Sequence, residues 1–308
     1  MPTYRETSEL DFRLEELPRL PPFDRALLAD PRDFDVEYAI NPHMLDEHGE
    51  LRRVDRVEAR RQWETVRRTL EAAGLAVEVE GPLDGHPDFV FCANPGLPIP
   101  AAVAGAPPRW VPARMASEMR SGEVERWAER ARRRGWRVEP LEGNAERFEG
   151  TGDGLWHPGR RLLWGGVGPR SSREAWEELA ARYELPIVTL ELADPALYHL
   201  DTCLAPLDEE GCLWAPEAFD EAGQGLVRAL FPGAIEVSGA EARERLACNA
   251  FPVPRPGARP AVVIQAGAEE ARAALAERGY EVLEVETGEF LKSGGSVFCM
   301  KLAYPSEA

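Results

Sequence analysis

The feature that most constrains this chain is a unit that recurs along it: an amphipathic helix, a glycine or proline stop, then a short strand. From about Val54 to Ala73, Val57, Trp63, Val66 and Leu70 stand at helical spacing amid charge; Gly74 can end the helix, and 75–80 reads as a strand. The same order returns at 118–140, 172–192, 216–237 and 268–285. Five copies at intervals of roughly 45 to 60 residues are the self-similarity of a repeat architecture. Between them lie further short strand-like runs, at 88–91, 161–164 and 261–264. The class is α/β. Five units closed around a central site and an open doubly wound sheet both satisfy this order, and periodicity alone leaves the two open.

Ahead of the first unit, residues 1–30 carry Leu17-Pro18-Arg19-Leu20-Pro21-Pro22, whose prolines forbid a long helix. They read as an extended lead-in to a single domain over 31–308. The alternation of apolar and acidic residues at 34–41, closed by Pro42, predicts a half-buried strand.

A chain of 308 residues buries a substantial core. Its net charge of −18 argues against a nucleic-acid partner, which requires basic surface to neutralise phosphates. No apolar run approaches the roughly 20 residues that span a bilayer, and the N-terminus lacks the basic-then-apolar layout of a signal peptide. The expectation is a soluble, cytoplasmic protein that does not bind membranes. Five cysteines, at 92, 203, 212, 248 and 299, form no CxxC pair, so neither a disulfide framework nor a zinc site is expected. The glycine-rich stretches at 150–154 and 165–168 lack the spacing of a phosphate loop.

Four segments can carry chemistry. Near the end, Gly294 and Gly295 free the backbone for close approach, and four residues later Cys299 opens a short apolar run, as a thiol at the rim of a site would. A cysteine between Phe298 and Met300 equally suits a buried small apolar residue. Asp88 opens an apolar run that ends in an Asn94-Pro95-Gly96 turn, so it either caps a loop or faces a pocket. Glu149 precedes the glycine-rich loop. His199 and Asp201, two apart in a strand-like run, are expected on one face.

Together these residues resemble a known superfamily, the guanidino-group modifying enzymes, which includes arginine deiminases, dimethylarginine dimethylaminohydrolases and glycine amidinotransferases. The run 87–97 is similar to its PD(M/F)VFTANAG segment, Phe148-Glu149-Gly150 to its FEGGD-type segment, His199-Leu200-Asp201 to its HxD segment, and 293–299 to its terminal SGGS(V/I)xC segment. The resemblance runs from about Asp35 to Leu302. Cys92 stands where threonine is usual, Pro95 where a small residue is usual, and Thr151 departs from the FEGGD spelling, which blurs the substrate branch.

The resemblance implies a five-bladed α/β propeller, the pentein fold, with pseudo-fivefold repeats, and chooses the closed arrangement over the open sheet. It implies a small cationic guanidine as substrate, bound by Asp88 and Asp201, because carboxylates match the planar fork of guanidinium N–H donors. Cys299 would attack the guanidine carbon. His199, oriented by Glu149, would protonate the leaving amine and then activate water. No metal or organic cofactor is required. Arg114 and Arg120 stand where the superfamily often places the partner of a substrate carboxylate. A dimethylargininase-like or arginine deiminase-like hydrolase giving a ureido product such as citrulline is the leading expectation. An amidinotransferase passing the group to an amine is the alternative, a non-catalytic binding protein a third, and a homo-oligomer is compatible with each.

Overall fold

The structure, a computed structural model, describes residues 3–306. The first long helix forms where its apolar stripe and its cap agree. The helix Arg56–Ala72 starts at Asp55, whose carboxylate accepts the Val57 and Glu58 amides at 3.0 Å, and the chain turns out of it through Gly74 at φ +109°. Its face of Ala59, Trp63, Val66 and Leu70 is buried with Ala26 and Leu28. Each of the three large side chains contributes about 1.5–3 kcal/mol by leaving water.

Five sheets share one plan: a first strand pairs antiparallel with a second, and the second pairs parallel with a third reached through a helix. Strands Gly96–Ile99, Arg109–Pro112 and Arg137–Val138 make one such set, with helix Ser121–Arg133 before the third. Gly154–Trp156, Leu163–Val167 and Ile187–Glu191 make the next, extended by Thr3–Tyr4. Then follow Leu204–Pro206, Cys212–Trp214 and Ile235–Glu236, and after them Phe251–Arg255, Ala258–Gln265 and Glu281–Val285. The fifth joins the two ends of the chain: Leu302–Tyr304 pairs antiparallel with Arg25–Ala29, which pairs parallel with Ala76–Glu80. The parallel step needs a crossover, and the helix supplies it.

Three expectations are corrected. Residues 34–41 form no strand; they are a loop whose alternation is used otherwise, Phe34 stacking on Phe290 at 4.7 Å and Tyr38 bonding Asp88. Asp88 lies in a 3₁₀ turn, Pro87–Val90, because Pro87 has no amide for a ladder. His199 and Asp201 do not share a strand face either: Leu200–Thr202 is a 3₁₀ turn just ahead of the strand. All of these short turns serve one purpose. In every unit the residues immediately ahead of the first strand point toward one region: Asp88 and Asn94, Glu149 and Asp153, His199 and Asp201, Asn249, and Cys299.

Candidate active site

The centre is Cys299, 4% exposed. Its Sγ lies 3.2 Å from Asp201 Oδ2 and accepts the Asn249 Nδ2–H at 3.1 Å. Asn249 Oδ1 in turn accepts the Ser296 and Cys299 amides at 3.1 and 3.2 Å, so one buried side chain fixes both the thiol and the turn that carries it. Glycine is needed at 295, where a Cβ would collide with the ring of Phe91. Burial, followed by the charge of Asp201, holds the thiol well above its usual pKa, so the resting sulfur is protonated.

Asp201 is fully buried, and burial lifts its pKa to about 6. Its Oδ1 has no hydrogen-bond partner among the described residues. A buried carboxylate oxygen without a donor is costly, and a ligand N–H would satisfy it. Asp88 is held differently: Tyr38 Oη donates to Oδ2 at 2.8 Å and Ser293 Oγ to Oδ1 at 2.9 Å.

His199 sits between two carboxylates. Nδ1 is 3.1 Å from Asp153 Oδ1 and Nε2 is 3.2 Å from Glu149 Oε2. The Asn94 amide nitrogen, 2.9 Å from Nε2, favours a lone pair there, whereas Glu149 favours a proton. Burial disfavours the charged ring, but Asp153 first and Glu149 second outweigh both effects and raise its pKa to about 9. The imidazole is therefore an imidazolium at neutral pH. Burial also opposes the Glu149 charge, yet the bond from His199 and the Arg170 guanidinium at 3.3 Å hold it at about 2.

Asp88, Asn94, Arg120, Arg170, Tyr198, His199 and Cys299 line one small pocket; Asp201 and Glu149 stand behind it, touching Cys299 and His199. The cavity of about 10 Å³ barely holds a water molecule. It is closed by the loop carrying Asn41, which donates to Ser293 O at 3.0 Å and Tyr198 Oη at 3.2 Å, and by Arg170, which donates to Ile40 O at 2.6 Å.

The two sequence-selected arginines part company. Arg120 lines the pocket, buried and bonded to Glu123 and Asn94 Oδ1. Arg114 is not brought there; its guanidinium clamps the loop at 141–145 through the carbonyls of Leu141, Gly143 and Ala145. Cys203, in the strand phase expected of Asp201, is packed in the core with its Sγ turned to the His199 and Leu200 carbonyls. Sequence reasoning missed Asn94, Asp153, Arg170 and Asn249. Asn94 and Asp153 lay inside segments already singled out; Arg170 and Asn249 had no local signal. Among the described residues no group of three or more His, Cys, Asp or Glu side chains is placed to hold a metal, and no helix is long and apolar enough to cross a membrane.

A buried thiol beside an acceptor-rich pocket and an imidazolium held by two carboxylates is the arrangement of a cysteine enzyme with its own general acid. The chain is 37% identical over 285 residues to an N(G),N(G)-dimethylarginine dimethylaminohydrolase of Mycobacterium tuberculosis, covering 92% of this chain and 87% of that protein. It is 31% identical over 279 residues to the bifunctional arginine dihydrolase/ornithine cyclodeaminase ArgZ of Synechocystis, 90% of this chain but only 37% of the bifunctional protein. The N-terminal domain of ArgZ, solved with a covalently bound reaction intermediate, superposes with a TM-score of 0.81 at 31% identity, over 91% of this chain and 97% of that one. A dimethylarginine dimethylaminohydrolase from Pseudomonas aeruginosa shares the fold, with a TM-score of 0.71 at 24% identity over 92% of this chain and 99% of that one. A scan against protein-family models finds no match. The chain belongs to the guanidino-group modifying superfamily, the penteins. It is an enzyme that hydrolyses carbon–nitrogen bonds of linear amidines.

Proposed function

We propose that this chain hydrolyses the guanidine of arginine or a methylated arginine through a covalent amidino adduct on Cys299, releasing ammonia or an alkylamine and a ureido product such as citrulline. One observation carries the reading: the unpartnered Asp201 Oδ1, 0% exposed, beside the Cys299 thiol. A guanidinium N–H is the donor that oxygen lacks, and the cation it belongs to supplies the positive charge that lowers the thiol's pKa.

On binding, Asp201 and Asp88 orient the guanidinium and the Cys299 thiol, its pKa lowered by the cation, releases its proton to solvent. Sγ bonds to the guanidine carbon, a carbon–nitrogen bond breaks, and the leaving amine takes a proton from the His199 imidazolium. The neutral imidazole then accepts a proton from water as oxygen adds to the carbon, and collapse returns the thiolate. Glu149 and Asp153 keep the ring charged and oriented for the first step. For the substrate carboxylate the pocket offers Arg120 and Arg170. We also infer that the five sheets are blades of one pentein propeller, since the last strand of the chain completes the sheet of Arg25–Ala29, and that residues 31–308, joined by Arg25–Ala29 as the middle strand of that sheet, act as one catalytic domain.

The test is a colorimetric ureido assay on purified protein against arginine, methylated arginines and agmatine. Product is expected with intact Cys299 and none with Cys299→Ser. An amidino adduct on Cys299 by mass spectrometry without ureido product would replace hydrolysis by transfer to an amine. Ureido product from Cys299→Ser at the wild-type rate would remove the covalent mechanism.

A further inference from the structure

A second cavity, of about 380 Å³, shares no lining residue with the catalytic pocket. Its walls are largely apolar, with Phe23, Trp156, Leu207, Pro252 and Pro254 among them. Into this setting the fold places Lys301, 1% exposed. Of the buried arginines and lysines among the described residues, Arg120, Arg160 and Arg170 each pair with a carboxylate and Lys301 does not. Its ammonium rests instead on the faces of Phe298, 3.0 Å from the ring centre, and Phe251, 4.5 Å away, two rings that also line the cavity.

A buried ammonium stacked on aromatic rings and lacking an anion is costly unless something completes it. The other charged groups of the cavity are committed. Glu209 binds Arg160 and Arg19, Asp208 accepts Tyr280 Oη, Arg255 pairs with Glu281, and His157 Nε2 contacts the Glu209 carbonyl. Lys301 is thus the cation in these walls without an ion pair, and the buried Asp201, outside the walls, attracts it only from beyond ion-pair distance. We propose that this cavity is a second ligand site, for a monocarboxylate with an apolar body, whose carboxylate pairs with Lys301 while its body packs on the proline and aromatic walls. A single cation calls for a single negative charge; a phosphate dianion would bring surplus charge into an apolar space beside Asp208 and Glu209.

The test reads binding and not turnover, so it does not depend on the proposed reaction. Isothermal titration of 4-phenylbutyrate and of its uncharged analogue 4-phenylbutyramide, at pH 6.5, is expected to show the acid binding at least about tenfold tighter. Burial pulls the lysine's pKa to about 7, while Asp201, Cys299 and Cys92 act in the opposite direction, so acid binding above that pH is expected to take up a proton from the buffer. Lys301→Met is expected to abolish the preference for the acid. Ala258→Trp fills the cavity rim from an exposed position and is expected to weaken both ligands while leaving the melting temperature unchanged. Equal affinity for acid and amide, affinity for the acid unchanged in Ala258→Trp, or no saturable binding of the acid up to about 10 mM would each overturn the proposal.

Discussion

Replacing Asp153 by asparagine probes the electrostatics on which the proposed acid catalysis rests. The substitution is nearly isosteric: the amide oxygen can keep the Leu200 amide and the imidazole, each 3.1 Å away, and the amide nitrogen can face Ser171 Oγ. What disappears is a charge. Two unit charges 3.1 Å apart attract by about 5 kcal/mol at an effective dielectric of about 20, and Glu149 at 3.2 Å supplies a similar amount. The net effect on His199 is a rise from 6.5 to about 9, worth only about 3 kcal/mol, because burial cancels the rest. Removing one carboxylate therefore takes away more than the whole net gain. The pKa of His199 in Asp153→Asn should fall to 6.5 or below, leaving at most about one tenth of the ring charged at pH 7.5. Heteronuclear NMR of ¹⁵N-histidine-labelled protein, titrated from pH 5 to 10, reads this directly, with His199→Gln to assign the resonance. With the acid lost, kcat should drop by about 10²-fold or more while the fold persists. A pKa that stays above about 8 in the variant would refute the reasoning, since Asp153 would then be a geometric partner and not the source of the charge.

Three further outcomes follow from particular contacts. Cys203→Ser should keep most of the activity, because its sulfur bonds only backbone carbonyls; steady-state rates on whichever guanidine proves to be substrate check this, and a loss equal to that of Cys299→Ser would mean the nucleophile is misassigned. Gly150 holds φ +53° and a Cβ there would strike the backbone of Gly96, so Gly150→Ala should cost on the order of 2–4 kcal/mol in chemical denaturation and displace the adjacent Glu149. The Lys301 pKa is lower in the fold than in the unfolded chain, 10.5 falling to about 7, so its burial penalises the fold fully below pH 7 and the penalty fades as pH rises toward 10.5. His199 has the reverse sign, stabilising fully below 6.5 and losing that contribution as pH climbs through about 9. The two slopes oppose each other between pH 7 and 9. Lys301→Met should expose the falling His199 limb as a melting temperature that drops across this range more steeply than in the wild type, and parallel curves would contradict it.

Much of the architecture was legible because helix and strand leave local signatures. The spacing of Val57, Trp63, Val66 and Leu70, the stop at Gly74 and the strand behind it reflect a face turned to the core and a chain reversal, both of which are written within about twenty residues. The five helix–strand pairs were found this way, and so, through the resemblance of short motifs, were Asp88, Glu149, His199, Asp201 and Cys299. Tertiary structure decided everything that depends on distant segments meeting. The alternation at 34–41 is used by a loop over the site and not by a strand, because no sheet edge pairs with it and Arg170 and Asp88, far along the chain, take its polar groups. His199 and Asp201 reach the site from a 3₁₀ turn, and what chiefly keeps His199 charged is Asp153, 46 residues earlier. Asn249, 50 residues from Cys299, fixes the thiol, and Arg114 is spent on a loop that a motif could not reveal. The sequence by itself determined the repeating units and the reactive residue types, since periodicity and motif are short-range. The charge on His199, the protonation of Cys299 and the lone ammonium of Lys301 are set by burial and by partners brought together only when the five units assemble, and electrostatics in a low-dielectric interior follows distance in space and not along the chain.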